Sequence, residues 1–225
     1  VTDPAASGLV DSNEAPGANI TGTSDLTPVS SQIEMIQKLV PDAKTIGVFY
    51  TSSETNSKLQ ADMAIEAGEA LGYEMQTYTV SQTSEIQQVV ESMIGKVDAV
   101  YIPTDNLLAS NMPTVSMVAN QAKLPVICGE SGMVENGGLI TNGINYFDLG
   151  VLTGKQAAEI LEGADPATMP IEYCPEDSYT YTVNEDTAAE IGIEIPEEFL
   201  QDSEEVETEA STETAEETET ESAAE

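Results

Sequence analysis

Four short stretches of this chain hold small polar and acidic side chains that could bind a small molecule: Thr2-Asp3, then Thr51-Ser52-Ser53-Glu54-Thr55-Asn56-Ser57, then Thr104-Asp105-Asn106, and then Gly129-Glu130-Ser131. Hydroxyls and free backbone N–H groups at the start of a helix or turn can hold a carboxylate without any cation. Asp3, Glu54, Asp105 and Glu130 can answer an ammonium group. Together they suit a small zwitterion. Each residue also has a plainer reading. Asp3, Asn56 and Asp105 are ordinary helix N-caps, Thr51, Ser52 and Ser53 can solvate a loop, and Tyr50 and Tyr146 read first as core or rim aromatics. What favours binding is that polar loops recur after successive strands, which capping explains one at a time but does not require.

Composition removes much of the competing chemistry. The 225 residues carry 41 Asp and Glu against six basic residues, all lysine, for a formal charge of −35. A nucleic-acid surface needs a basic footprint and is excluded, and an anionic lipid surface would repel the chain. With no histidine there is no imidazole base, Ser-His triad or His-based zinc site. No nucleophile elbow, P-loop or G-x-G-x-x-G is present, and neither is an apolar run of transmembrane length. Cys128 and Cys174 are too few for a disulfide scaffold. Cys128 closes the apolar run Leu124-Pro125-Val126-Ile127 and reads as a small buried hydrophobe; Cys174 reads as a strand end, and whether the two pair stays open.

The elements that must position these loops alternate between strand and helix. Thr27-Pro28 opens a helix with Ile33, Ile36, Leu39 and Val40 on one face, ended by Pro41. The continuous apolar run Thr45–Tyr50 suits a parallel strand covered on both sides. A helix from about Asn56 places Leu59, Met63, Ala67 and Ala70 in its stripe and stops at Gly72. Tyr73 to Val80 is a strand, Ile86, Val89, Val90, Met93 and Ile94 a helix, Asp98 to Ile102 a strand. Asp105 to Lys123 is helical with a break after Asn111, where Pro113 intrudes. Leu124 to Cys128 and Gly138 to Thr141 are strands, and Tyr146 to Leu161 is a long helix. Such alternation predicts right-handed crossovers and a doubly wound parallel sheet. Ligands bind such sheets outside the carboxyl ends of the strands, where the polar loops fall. After Pro166 come extended segments near Ile171–Tyr173 and Ser178–Val183, and then a short helix from Asn184 to Gly192.

Eleven of the acids lie between Asp202 and Glu225, in a run of Glu, Thr, Ser and Ala with Val206 its only branched aliphatic residue. That composition predicts a disordered acidic tail. Thirty acids against six lysines remain in residues 1–201, a charge of −24. The chain opens on Val1, and Val1-Thr2-Asp3-Pro4 reads as a strand end running into a helix, with no earlier strand to pair. We therefore expect an incomplete chain whose targeting information lies upstream of Val1.

The segments Val1–Pro4 with Gly8-Leu9-Val10, Pro16–Asp25, Leu39–Val48, Ser53–Ser57 and Tyr101–Asn106 together resemble the ABC-transporter substrate-binding proteins of the tryptophan/tyrosine type, in order and in spacing over nearly all of residues 1–200. The resemblance implies a type I periplasmic-binding-protein fold, α/β, with two doubly wound parallel-sheet lobes joined by a hinge. It also implies that most of the first lobe is absent. Residues 1–41 would be the remnant of that lobe and a crossing segment, 42–145 the second lobe, and 146–201 the return to the first lobe and hinge. Family members are extracytoplasmic and typically lipid-anchored, here through an N-terminus absent from this chain. They deliver an aromatic amino acid or similar small molecule to a permease and its ATPase, without cofactor. Carried over by position, Asp3 and Pro4 would line the cleft from the first lobe. Ser53, Glu54, Asn56, Ser57, Thr104, Asp105, Asn106 and Glu130 would line it from the second, with the helix starts near Asn56 and Asp105 gripping the head group.

Two other functions use the same residues. An effector-binding domain of a transcription regulator would share the fold and would need a basic DNA-binding segment upstream. An enzyme would use Asp105 and Glu130 as an acid/base pair, and nothing beyond two acids on neighbouring loops supports it.

Overall fold

The computed structural model describes residues 1–201 and 203–205. Its main body is a seven-stranded sheet in the order β3-β2-β4-β5-β6-β8-β9. The parallel part is built from β2 (Thr45–Thr51), β3 (Glu74–Val80), β4 (Ala99–Ile102), β5 (Val126–Cys128) and β6 (Ile140–Gly143). Period-two alternation divides the strand residues between two cores. Ile46, Val48, Tyr50, Ala99 and Tyr101 meet α1 (Val29–Leu39) and α2 (Thr55–Ala70) on one face, whereas Phe49, Val100 and Ile102 meet α3 (Ile86–Met93) and α5 (Met112–Gln121) on the other. Ile33, Ile36, Ile46, Ile102 and Ile127 are completely buried, and each such side chain stabilises the fold by about 1.5–3 kcal/mol. The expected break in the fourth helical segment is present: α4 (Asn106–Ser110) ends at Asn111, and α5 starts at Met112 with Pro113 in its first turn.

A second, smaller body is assembled from both ends of the chain. β1 (Thr23–Ser24) pairs in parallel with β7 (Glu172–Tyr173). The amide of Ile171 donates to Asn13 O at 2.7 Å, that of Gly17 to Ala167 O at 2.9 Å, and the Thr21 hydroxyl to Met169 O at 2.8 Å. α7 (Tyr146–Leu161) lies against β1, with the Thr23 and Thr153 hydroxyls 2.7 Å apart. The chain therefore passes between the two bodies at residues 25–28, 144–145 and 179–180. The return expected over residues 146–201 divides there. Residues up to Tyr179 belong with the small body, whereas β8 (Thr180–Val183) joins β6 antiparallel and α8 (Glu185–Ile191) follows, ended by Gly192 in the left-handed conformation at φ 81°.

Four local expectations are corrected. Residues 1–11 contain no strand end and helix; they form consecutive turns, with Ser7 N donating to Asp3 O at 3.0 Å and Leu9 N to Pro4 O at 3.0 Å. The buried seam of α2 is Ser57, Gln60, Ala61, Ala64 and Gly68, one position round from the expected Leu59, Met63, Ala67 and Ala70. Small residues win that seam because α1 and β3 come close, and a Cβ on Gly68 would collide with the Met75 side chain. The fifth parallel strand, Ile140–Gly143, runs two residues later than expected: the Gly138 amide still bonds Met133 O of α6 (Ser131–Glu135), and Leu139, whose amide bonds Val126 O, leads into the strand. In the expected acidic tail, Ser203–Glu205 forms β9 beside β8, preceded by α9 (Glu197–Leu200), whose Phe199 is buried against Tyr181. Residue 202 and residues 206–225 lie outside the described residues. Cys128 and Cys174 are both buried and free.

α7 buries only Leu149 and Gln156 of its sixteen residues, leaving Phe147 78% and Leu161 89% exposed. Apolar surface of this kind binds hydrophobic dyes. Residues 1–225 expressed alone are expected to enhance such a dye's fluorescence, and Phe147→Ser with Leu161→Ser to reduce it. No enhancement in the unmodified chain would mean that this face is covered in solution.

Candidate ligand-binding site

The polar loops at the carboxyl edges of β2, β4 and β5 meet around Asp105, which is only 3% exposed. Its Oδ2 accepts from the Thr51 amide at 2.7 Å, and its Oδ1 accepts from the Thr51 hydroxyl at 2.8 Å and from the Leu108 amide at 2.9 Å. Asp105 thus fastens the end of β2 to the start of α4, and these bonds leave little of it for a ligand. Glu54 acts on the same helix rather than on its own. It accepts from the Asn106 amide at 3.0 Å, the Asn106 side chain at 2.7 Å and the Leu107 amide at 3.1 Å. With the Ala109 amide bonded to Asp105 O, every amide of the first turn of α4 has an acceptor.

The first turn of α2 is the opposite case. It has no side-chain cap, and the amides of Thr55, Asn56 and Ser57 have no acceptor among the described residues. Asn56 does not cap it, because its side-chain amide donates to Thr104 O at 3.1 Å, beside the Ser57 hydroxyl, which donates to the same oxygen at 3.1 Å. Ser53 is exposed at the mouth of this turn. Of the two helix starts singled out in the sequence, α2 therefore presents three free N–H groups and the positive end of a helix dipole, while α4 presents none.

The β4 and β5 loops touch through Gly129. A Cβ there would lie 2.6 Å from the Pro103 carbonyl carbon and closer still to the Thr104 nitrogen, so this approach requires glycine. Glu130 follows, accepting from the Gly132 amide at 2.8 Å as the cap of α6. Burial pushes its carboxyl above the ordinary glutamate range, against the lowering effect of the Gly132 and Met133 amides. Tyr146, at the second crossing, has its phenol pushed up by burial and by the nearby charges of Asp25 and Glu130. It lines a cleft of about 190 Å3 with Ser131, Gly143, Ile144, Asn145, Phe147, Thr180 and Thr182.

The structure thus brings Glu54, Asn56, Ser57, Thr104, Asp105 and Asn106 into one hydrogen-bonded group, with Ser53 and Glu130 at its margins. Asp3 and Pro4 stay in the small body, where Asp3 Oδ1 accepts from the Ala6 amide and the Asn13 side chain, both at 3.0 Å, bonds that lower its pKa. Pro4 is buried there. As for the acid/base pairing, Asp105 and Glu130 each cap a different helix. Two buried glutamines were missed. Gln32 donates to Asn142 O at 2.7 Å and Gly129 O at 3.2 Å and accepts from Tyr101 OH at 2.7 Å, joining α1 to three strand ends. Gln60 bonds Thr104 and Thr27. Their helical spacing within apolar stripes was the available signal. Among the described residues no group of three or more His, Cys, Asp or Glu is arranged to hold a metal ion, and no helix is long and apolar enough to cross a membrane.

Residues 1–207 match the family model for ABC transporter substrate binding proteins. The chain belongs to this family. A curated relative, the tyrosine-binding protein of Clostridioides difficile, is 43% identical over 187 residues, which is 83% of this chain and 54% of that protein. The chain thus spans about half the length of that relative. Among solved structures, an ABC domain from Streptococcus pneumonia in complex with L-Trp superposes with a TM-score of 0.84 at 40% identity, over 91% of this chain and 68% of that one. The ligand-free, open structure of a substrate-binding protein with adhesive properties from Clostridium difficile gives 0.75 at 42% identity, over 93% and 70%. The fold is accordingly type I periplasmic-binding-protein-like. The family is one of binding proteins, not enzymes.

Removing half of the Asp105 acceptor set should loosen the site's frame. Asp105→Asn is expected to destabilise the fold by about 1–3 kcal/mol, because one of the Thr51 donors then faces an amide. A urea melt checks this, and an unchanged midpoint would show that the β2–α4 link carries little stability.

Proposed function

We propose that the chain is part of an extracytoplasmic receptor of an ABC importer. It would bind an aromatic amino acid between its lobes and deliver it, on closure, to a permease and its ATPase, with lipid anchoring through sequence preceding Val1. The observation that carries the reading is the open first turn of α2 on a chain without arginine. It offers the carboxylate of an amino acid three amides and the Ser53 hydroxyl. Glu130, with Asp25 and the Tyr146 ring nearby, offers the ammonium group a negative, partly dry surface. The relatives support the ligand class, since one is named for tyrosine and another holds L-Trp. The polar group fastened by Asp105 would be the rigid wall against which the ligand closes the hinge, and closure follows when the ligand binds the closed state more tightly.

Thr55→Pro isolates the carboxylate contact. Thr55 is the first residue of α2, where proline is tolerated and only an already free N–H is lost, and Glu54 before it is extended, at φ −95° and ψ 112°. In the full-length protein, calorimetry is expected to show L-tryptophan or L-tyrosine binding, with affinity about tenfold weaker in Thr55→Pro and thermal stability retained. Equal affinity in the variant sinks the α2 subsite, and no binding of either amino acid sinks the ligand class.

The glutamate makes a separate prediction. Its folded pKa lies above 4.5 because burial disfavours the charged form. An ammonium partner would favour the ionised form, so binding should release a proton and weaken as pH falls toward 4.5. Glu130→Gln should flatten that dependence, measured as affinity against pH between 4.5 and 7. A profile with the same slope in the variant would place the ammonium elsewhere.

A further inference from the structure

Gln60 occupies an unusual place for a long polar side chain. It lies one turn into α2, wholly buried, and its amide reaches three different parts of the molecule. Its Nε2 donates to the Thr104 hydroxyl and, at 3.3 Å, to Asn56 O in the first turn of its own helix. Its Oε1 accepts from the Thr27 hydroxyl at 3.3 Å. Thr27 is 3% exposed and belongs to the first passage between the two bodies, so its hydroxyl is spent on Gln60 instead of capping α1, which has no side-chain cap.

Apolar packing does not need this arrangement, because Ala61, Ala64 and Gly68 fill the rest of the seam. A buried amide is costly unless both ends are bonded, and here every bond leads to a part of the proposed mechanism. Asn56 O belongs to the turn offered to the ligand carboxylate, Thr104 to the wall fastened by Asp105, and Thr27 to the hinge. The Thr27 and Asn56 contacts are equally long at 3.3 Å, but Asn56 O belongs to the same helix as Gln60 whereas Thr27 lies on the passage, so the Thr27 bond is the one that a turn of the passage would pull on.

We infer that Gln60 is a positioning residue that couples seating of the ligand at the start of α2 to movement of the hinge at residues 25–28. The inference rests on the proposed function for the location of the carboxylate. A ligand held by the Thr55–Ser57 amides fixes the first turn of α2, that turn fixes the Gln60 amide through Asn56 O, and the amide fixes or releases Thr27. Ligand and hinge then share one coupling free energy, and each biases the other.

The test uses the full-length protein with L-tryptophan as probe. Thr27→Val conserves shape and removes only the hinge bond, while Gln60→Met conserves length and removes the whole relay. Each is expected to change L-tryptophan affinity about two- to tenfold, the worth of one such bond. Each should also shrink the ligand-induced protection of residues 25–28 from hydrogen exchange. In the double variant the second substitution should add nothing further. Additive effects, or undiminished protection in Gln60→Met, overturn the coupling, since a packing role would lower the melting temperature and leave both readings alone. If the unmodified protein binds neither L-tryptophan nor L-tyrosine, the ligand class fails separately. The coupling is then decided without ligand: Gln60→Met must speed exchange at residues 25–28 by about threefold or more, and an unchanged rate overturns it. Should Gln60→Met not fold, the protection reading in Thr27→Val decides alone.

Discussion

At the carboxyl edge of the sheet, the Asp105 carboxylate lies buried and takes its hydrogen bonds from Thr51 and Leu108, with no ion pair among the described residues. A buried carboxylate needs several donors to offset desolvation. Meeting that requirement draws the end of β2 and the start of α4 to one point, and Glu54 completes the job on the neighbouring amides. Once α4 is saturated in this way, the only open helix start in the group is that of α2. The geometry of the whole edge follows from satisfying one acidic side chain without a cation.

The lysines explain why no cation is at hand. Lys38 sits in the last turn of α1, and Lys44, Lys96 and Lys123 stand just before β2, β4 and β5. All four therefore occupy the amino edge of the parallel strands, where the helices direct their negative C-terminal ends and cations are stabilised. At the opposite edge Lys58 is turned to Asp62 at 2.6 Å in an exposed pair. Helix dipoles thus sort a scarce set of cations to one pole and leave amides as the positive surface of the other. A guanidinium would bind a carboxylate more tightly, but it would also pair with Asp105, Glu54 or Glu130 and close the site on itself.

The sequence carried the order and type of the parallel elements because their patterns are local. The apolar run of β2, the proline break before α5 and the glycine after α8 each act within a few residues. Where it misled, the deciding contact was distant. Thr27 reads as a cap until Gln60 comes beside it, Asn56 reads as a cap until Thr104 O does, and the α2 stripe moves by one position because Met75 and α1 crowd the side that Ala61, Ala64 and Gly68 are small enough to fill. Pro4 reads as a helix start, yet Asn13, ten residues from Asp3, draws Asp3 into a turn. The candidate site was legible as a set of loops because their composition is local. Which loop amides are free was not, since that depends on acceptors supplied from other strands.

The division of labour within the site also bears on selectivity. An amino-acid head group is the same whatever its side chain, so in the proposed reading the amides of α2 and the carboxylate of Glu130 would confer affinity for a class, not for one member. On the same reading, choice within the class would fall to apolar surface near the crossings, where Ile144, Tyr146 and Phe147 stand beside Thr180 and Thr182 around one small cleft. A hydrophobic pocket discriminates weakly against an added hydroxyl, whereas a built hydrogen bond to that hydroxyl discriminates strongly. Thr180 and Thr182 are the groups in this cleft able to make one from β8. If they do, the residues that distinguish a phenol from a purely apolar ring lie on a strand that begins at a passage between the two bodies, and under the proposed mechanism selectivity and closure would be coupled.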